Sequence, residues 1–403
     1  MHPLKITFTI LAFIVGGLVS PDSLAQTKTK LSFDFYGDSI SLTYQPSSFV
    51  DFNDTLSEQS LHSFYNKISA GNFNVMLQEL KACKINYKLD DWLFYQLIRK
   101  TAQQISPKAE NYHRYTLYKW YLLSGAGYDA TLRMAGDTLL FYVRCEENIY
   151  NILFHTKYGR QYVCLNYHDY GSNIDFGKIK VKEASLVVPN AVTAFSYKLT
   201  NLPNFRPDNY LEKDIRFSYR QHDQYFKVKL NPEIRTLFAN YPVVDYESYF
   251  NLPMSQETYR SLIPVLKKKL EGKSEFKGVD YLMHFTRTAF LFEADTKVFG
   301  SEKRLTPEQT LLFDQSDCED RAALFFYLVK EIYNLPMIVL SFPEHVTVAV
   351  KFDKPVGKEI LYNGDIYSVC EPTPQKKDLK IGQLMPALRK QSYEIVYSYQ
   401  PEK

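Results

Sequence analysis

Asp314-Gln315-Ser316-Asp317-Cys318-Glu319-Asp320-Arg321-Ala322-Ala323-Leu324 runs from a polar, turn-prone cluster straight into an apolar helical pattern, with a cysteine at the junction. Ser316 reads as a helix N-cap and Glu319, three residues on, as its capping-box partner. Cys318 then falls in the first turn, where unpaired backbone N–H groups and the helix dipole favour negative charge, so its thiol pKa is expected to fall. Behind it Ala322, Ala323, Phe326, Val329 and Tyr333 recur at helical spacing. Asp320 and Arg321 are expected to lock the helix by ion pairing, and Asp317, Glu319 and Asp320 to serve as cap and helix-surface charges. A site that favours thiolate suits a nucleophile, which needs a base, itself oriented by a third group.

Downstream, Glu344-His345-Val346-Thr347-Val348-Ala349-Val350-Lys351-Phe352 opens on a histidine and continues as a β-branched strand. Tyr367-Ser368-Val369-Cys370-Glu371-Pro372-Thr373 is a strand that stops at a carboxylate before a proline. Cysteine at a helix start, histidine at a strand start, acid at a strand end: this order resembles the transglutaminase-like superfamily of the papain-like cysteine-enzyme fold. The matching residues are Asp317 to Ala322, His345 with Val346 to Val350, and Cys370-Glu371-Pro372-Thr373. Upstream, Tyr281 to Phe292 and Arg304-Leu305-Thr306-Pro307-Glu308-Gln309-Thr310-Leu311 look like the helix and lead-in that this family places before its cysteine. The resemblance spans Pro253 to Gln391, about a third of the 403 residues.

The resemblance implies an α+β catalytic domain with Cys318 as nucleophile, His345 as base and Glu371 as orienting acid. Gln315, beside the Cys318 backbone N–H, is the candidate donor to an oxyanion. The family most often has aspartate where this chain has Glu371, and the extra methylene places the hydrogen bond differently. No metal or organic cofactor is implied, and the calcium-loop spacing is absent. The expected partner is a peptide or protein substrate.

Geometry adds a condition. His345 begins its strand and Glu371 ends its own, so they meet only if the two strands are antiparallel neighbours. A plain meander through the turn signals Asp353 to Lys358 and Asn363-Gly364 would set them parallel, on the order of 20 Å apart. Glu359 to Asp365 is therefore expected to be an excursion, with Val346 to Phe352 pairing with Ile366 to Cys370.

Met1 to Ala25 reads as a signal peptide, with Lys5, an apolar run from Ile6 to Val19, and Ser23-Leu24-Ala25 before Gln26. That run is shorter than the roughly 20 residues that span a bilayer. The expectation is a secreted or periplasmic protein with no stable membrane insertion after cleavage. The formal charge of +3, with Lys and Arg spread among acids, argues against a nucleic-acid partner. Five cysteines leave at least one unpaired in an exported chain. Cys145 and Cys164 lie on adjacent predicted strands, open to a disulfide or to roles as core thiols; Cys370 is expected in the core beside Glu371. His113, His155, His168, His222 and His284 have no partner pattern and read as structural or surface groups.

The remaining organisation is read as an α-rich N-terminal α+β region over residues 26–159, an antiparallel β-sandwich over 160–250, and the transglutaminase-like domain over 251–403. Leu117 to Leu123 align with Leu324 to Lys330 at an offset of 207, and Leu139 to Val143 then fall near Val346 to Val350. On this alignment the first region is a degenerate copy of the catalytic unit, with Asn111 in the cysteine's place and Asp137 or Thr138 in the histidine's. Two function classes stand. One is a thiol enzyme passing an acyl group to water (protease or amidase) or to an amine (transglutaminase-type transfer). The other is a non-catalytic secreted binding or scaffold protein that reuses the fold.

Overall fold

The computed structural model describes residues 28–170, 180–293 and 303–401; the expected signal peptide, Met1 to Ala25, lies outside the described residues. The described residues open with the hairpin β1 (Thr29–Phe35) and β2 (Asp38–Tyr44). Tyr36 and Gly37 both have positive φ, as a two-residue turn between strands of natural twist demands, and a Cβ on Gly37 would meet the Asn204 carbonyl oxygen at 2.7 Å. Four helices follow: α1 (Glu58–Ala70), α2 (Asn74–Asn86), α3 (Asp91–Ile105) and α4 (Tyr112–Gly125).

Next come β3 (Ala130–Ala135), β4 (Thr138–Arg144), β5 (Ile149–Tyr150), β6 (Phe154–Lys157), β7 (Arg160–Cys164) and β8 (Val181–Glu183). All but β5 build a five-stranded antiparallel sheet in the order β6-β7-β4-β3-β8. The hairpin β9 (Leu211–Tyr219) and β10 (His222–Leu230) leads through α5 (Glu233–Leu237), β11 (Val243–Val244) and α6 (Tyr246–Phe250) to α7 (Gln256–Leu270) and α8 (Glu275–Thr288). The last part holds β12 (Leu291–Phe292), α9 (Pro307–Leu312), β13 (Gln315–Ser316) and α10 (Cys318–Tyr333). It ends with β14 (Met337–Phe342), β15 (His345–Val350), β16 (Glu359–Tyr362), β17 (Asp365–Cys370) and β18 (Glu394–Tyr399), a second five-stranded sheet in the order β16-β17-β15-β14-β18.

The architecture is α+β with antiparallel sheets, and its two sheets are alike. Each follows a long helix, and β3, β4, β6, β7 and β8 take the same places in their sheet as β14, β15, β16, β17 and β18 take in theirs. β3 and β14 coincide end to end at the offset of 207, and each is followed by a two-residue turn.

Residues 160–250 do not form the expected sandwich. β7 and β8 complete the first sheet, so a boundary at residue 159 would cut the β6–β7 hairpin. Among the described residues the β9–β10 hairpin pairs with no other strand. It lays Ile215, Phe217, Phe226 and Val228 on α7 and α8, with Phe217 and Phe226 against Phe285. Alternation and turn residues specify that strands exist, but not which sheet they join.

α10 is the buried axis of the last part. Ala322 to Phe326, Leu328 and Val329 are without solvent exposure, so the helix is covered all round, by α6, α7, α8, α9 and β15. Close approach to α8 depends on Gly278, where a Cβ would overlap the Tyr333 hydroxyl. All five cysteines are free thiols, Cys145 and Cys164 among them, and Cys370 is fully buried in the core.

Candidate active site at the mouth of a buried helix

Cys318 is the first residue of α10, in the first turn as its sequence context indicates, but the cap is Asp317 rather than Ser316. The Asp317 carboxylate accepts the Asp320 N–H at 3.1 Å, and the Asp320 carboxylate accepts the Asp317 N–H at 3.3 Å. The box is shifted by one residue because Ser316 is held as strand in β13, paired in parallel with Phe292. Asp320 is no surface charge: fully buried, it also accepts from the Leu305 N–H at 2.8 Å and the Tyr249 hydroxyl. Glu319 accepts from Arg304 Nε at 2.9 Å and from the Tyr246 hydroxyl at 3.2 Å.

Antiparallel pairing of β15 with β17, through Val348↔Cys370, Ala349↔Val369 and Val350↔Ser368, brings the start of one strand to the end of the other. β16 is the excursion, a hairpin strand on the far edge of β17. His345 and Glu371 meet there: Nε2 lies 2.9 Å from Oε2, with His345 8 % and Glu371 1 % exposed. The other Glu371 oxygen accepts the Thr373 N–H at 2.9 Å, which accounts for the turn that Pro372 begins. A carboxylate can only accept, so a neutral His345 carries its proton on Nε2 and keeps a lone pair on Nδ1. Nδ1 is therefore the nitrogen equipped to take a proton from a thiol.

α10 packs across β15, and the Val346 N–H, one residue past His345, acts on the Cys318 thiol in the sense that favours thiolate. Other influences outweigh it. Burial first, then the Asp317 charge, push the thiol up to about 12, with Glu319 and Glu371 adding to the rise. The helix start was expected to lower this pKa. The dipole is overruled first by burial, and then because the polar turn that caps the helix also sets the Asp317 and Glu319 charges near the sulfur. A thiol pushed up this far favours its neutral form at pH 7. The ultraviolet thiolate absorbance of wild type minus Cys318→Ala should be absent at neutral pH and grow only as pH approaches about 12. A thiolate signal at pH 7 would contradict this.

Gln315 lies in β13, three residues before Cys318 and paired with Leu291. His345 and Glu371 pair at one end of the second sheet, and the Cys318 thiol feels both the Val346 N–H and the Glu371 charge there. In the first half, the offset of 207 sets Asn111 at the cysteine's place and Thr138, first residue of β4, at the histidine's. Register supplies the third position, which sequence inspection missed: Tyr142↔Cys164 corresponds to Ala349↔Val369, so Asn166 stands where Glu371 does. Its buried side chain accepts the Phe141 N–H at 2.8 Å and donates to the Leu139 carbonyl at 2.9 Å. Asn111 caps α4 by accepting the Arg114 N–H. Arg114, aligned with Arg321, reaches Ser106 at the end of α3.

Among the described residues no cluster of His, Cys, Asp and Glu is arranged to hold a metal ion, and no helix is long and apolar enough to cross a membrane. Compared with known proteins, the chain matches no family model and no curated protein.

Proposed function

We propose that the protein is an exported, cysteine-dependent acyl-transfer enzyme of transglutaminase-like architecture, acting on peptide or carboxamide bonds. One observation carries this reading: a buried imidazole–carboxylate pair, His345 to Glu371 at 2.9 Å, with Cys318 at a helix mouth where the Val346 N–H and the Glu371 charge act on its thiol. His345 Nδ1 takes the thiol proton as Cys318 sulfur adds to the carbonyl carbon. The imidazolium, stabilised by Glu371, returns that proton to the leaving amine, leaving a thioester. Water or a second amine then takes the acyl group and restores the thiol. The Cys318 N–H and Gln315 are the candidate donors to the oxyanion. Deprotonation in step with attack suits a thiol that is neutral at rest.

The matching strand order of the two sheets supports reading the first half as a degenerate unit of the same kind. With Asn111, Thr138 and Asn166 in the three positions it has neither thiol nor imidazole, and it serves packing or binding. A second reading, a non-catalytic scaffold, draws on the raised Cys318 pKa and the carboxylates around the sulfur.

Mass analysis of peptides and carboxamides incubated with the protein, with and without a primary amine, separates the two. Wild type should give hydrolysed or amine-coupled product, and Cys318→Ala none. Iodoacetamide at neutral pH should modify Cys318 faster than the half-buried Cys83, and His345→Ala should slow that labelling at least about tenfold. An unreactive Cys318 together with no product leaves the scaffold.

A further inference from the structure

We infer that Arg287 is a positioning residue for Glu371, acting with Arg321 through the end of α8 to set the acid against the nucleophile helix. The inference rests on the proposed role of the His345–Glu371 pair.

Arg287 lies in the last turn of α8 and is 4 % exposed. Its Nε donates to the Glu371 carbonyl at 3.2 Å, and a terminal nitrogen donates to the same oxygen. The other terminal nitrogen donates to the Leu379 carbonyl at 3.1 Å and to the Asp378 carboxylate, which His284 of the same helix also contacts at 3.0 Å. Arg321 approaches α8 from the nucleophile helix. Fully buried, it donates to the carbonyls of Thr286 at 2.9 Å, Arg287 at 2.8 Å and Phe290 at 3.0 Å. The Thr286 and Arg287 carbonyls belong to the group that a helix end leaves without internal donors, and Phe290 lies just past the cap. Arg321 is three residues past Cys318, on the same side of the helix. So Arg321 ties the cysteine's helix to the end of α8, and Arg287 ties the end of α8 to the acid.

Glu371 needs such a tie. β17 ends at Cys370, so the Glu371 carbonyl lies beyond the paired part of the strand. Glutamate also has one more rotatable bond than aspartate, and it holds an imidazole in one orientation only when both its ends are fixed. Thr373 fixes the carboxylate and Arg287 the backbone. The planar guanidinium reaches Glu371, Leu379 and Asp378 together, which a lysine ammonium cannot do.

The test is Arg287→Lys in the full chain, read by iodoacetamide labelling of Cys318 and by nitrogen NMR of the His345 ring. Labelling should slow by about tenfold or more. The ring should pass from one tautomer to a mixture while thermal unfolding stays cooperative. A purely structural arginine would shift the unfolding temperature and leave the tautomer alone. Wild-type labelling with an unchanged tautomer overturns the inference. If His345→Ala also labels at the wild-type rate, the proposed function fails as well; if only Arg287→Lys is silent, the inference fails alone. Should Arg287→Lys not fold, Arg287→Gln is read in its place against the same two outcomes.

Discussion

If the proposed acyl transfer holds, replacing Glu371 with glutamine should slow it by about 10²–10⁴-fold while the protein stays folded. The two side chains have the same shape, so packing is kept; what changes is which groups donate. Thr373 N–H already points at one Glu371 oxygen, 2.9 Å away, and in the variant it holds the amide oxygen there. The amide NH₂ must then face His345 Nε2, which has to accept. The ring proton moves to Nδ1, and the nitrogen that should take the thiol proton no longer has a lone pair. The base is lost by tautomer alone. Glu371→Asp keeps an acceptor with a shorter reach and should lose much less, about tenfold, while Cys318→Ala loses everything. Initial rates on the best amide substrate, with nitrogen NMR of His345, give both readouts. Wild-type turnover by Glu371→Gln would remove Glu371 from the mechanism.

What could be read from the sequence is what local pattern and strand ends specify. The α10 helix follows from apolar spacing. The meeting of His345 with Glu371 follows from requiring a strand start and a strand end to be neighbours, and β15 and β17 pair in that way. The misses are non-local. Ser316 has the chemistry of a cap, but it is drawn into β13 by Phe292, a partner outside the local window. The thiol pKa is raised first by burial, which no window around Cys318 shows, and only then by the neighbouring Asp317 charge. β8 joins the first sheet through β3, across nearly fifty residues, and this is why a sandwich was expected where a sheet is completed. Asn166 emerges only from strand register. Arg287 looks like an ordinary last-turn helix cation until its carbonyl partners are known.

Arg321→Met should destabilise the protein by about 3–5 kcal/mol, read from the urea midpoint against wild type. Asp320 and Arg321 were expected to lock the helix by ion pairing; the Arg321 guanidinium feels the Asp320 charge and also donates to three backbone carbonyls at the end of α8. Burial pulls its pKa down to about 10, with Asp320 and Asp317 opposing, so the group still enters the core charged at neutral pH. Methionine fills much of the volume and removes that desolvation cost, which offsets part of the loss. It cannot supply donors, and the carbonyls of Thr286, Arg287 and Phe290 cannot be mutated away. Each one left buried without a partner costs about 1–3 kcal/mol. Arg216, with a 77 % exposed side chain, is the control: Arg216→Met should stay within about 0.5 kcal/mol of wild type. A loss below about 1 kcal/mol in Arg321→Met would mean that the end of α8 finds other donors, and that α8 is not the rigid link between nucleophile helix and acid.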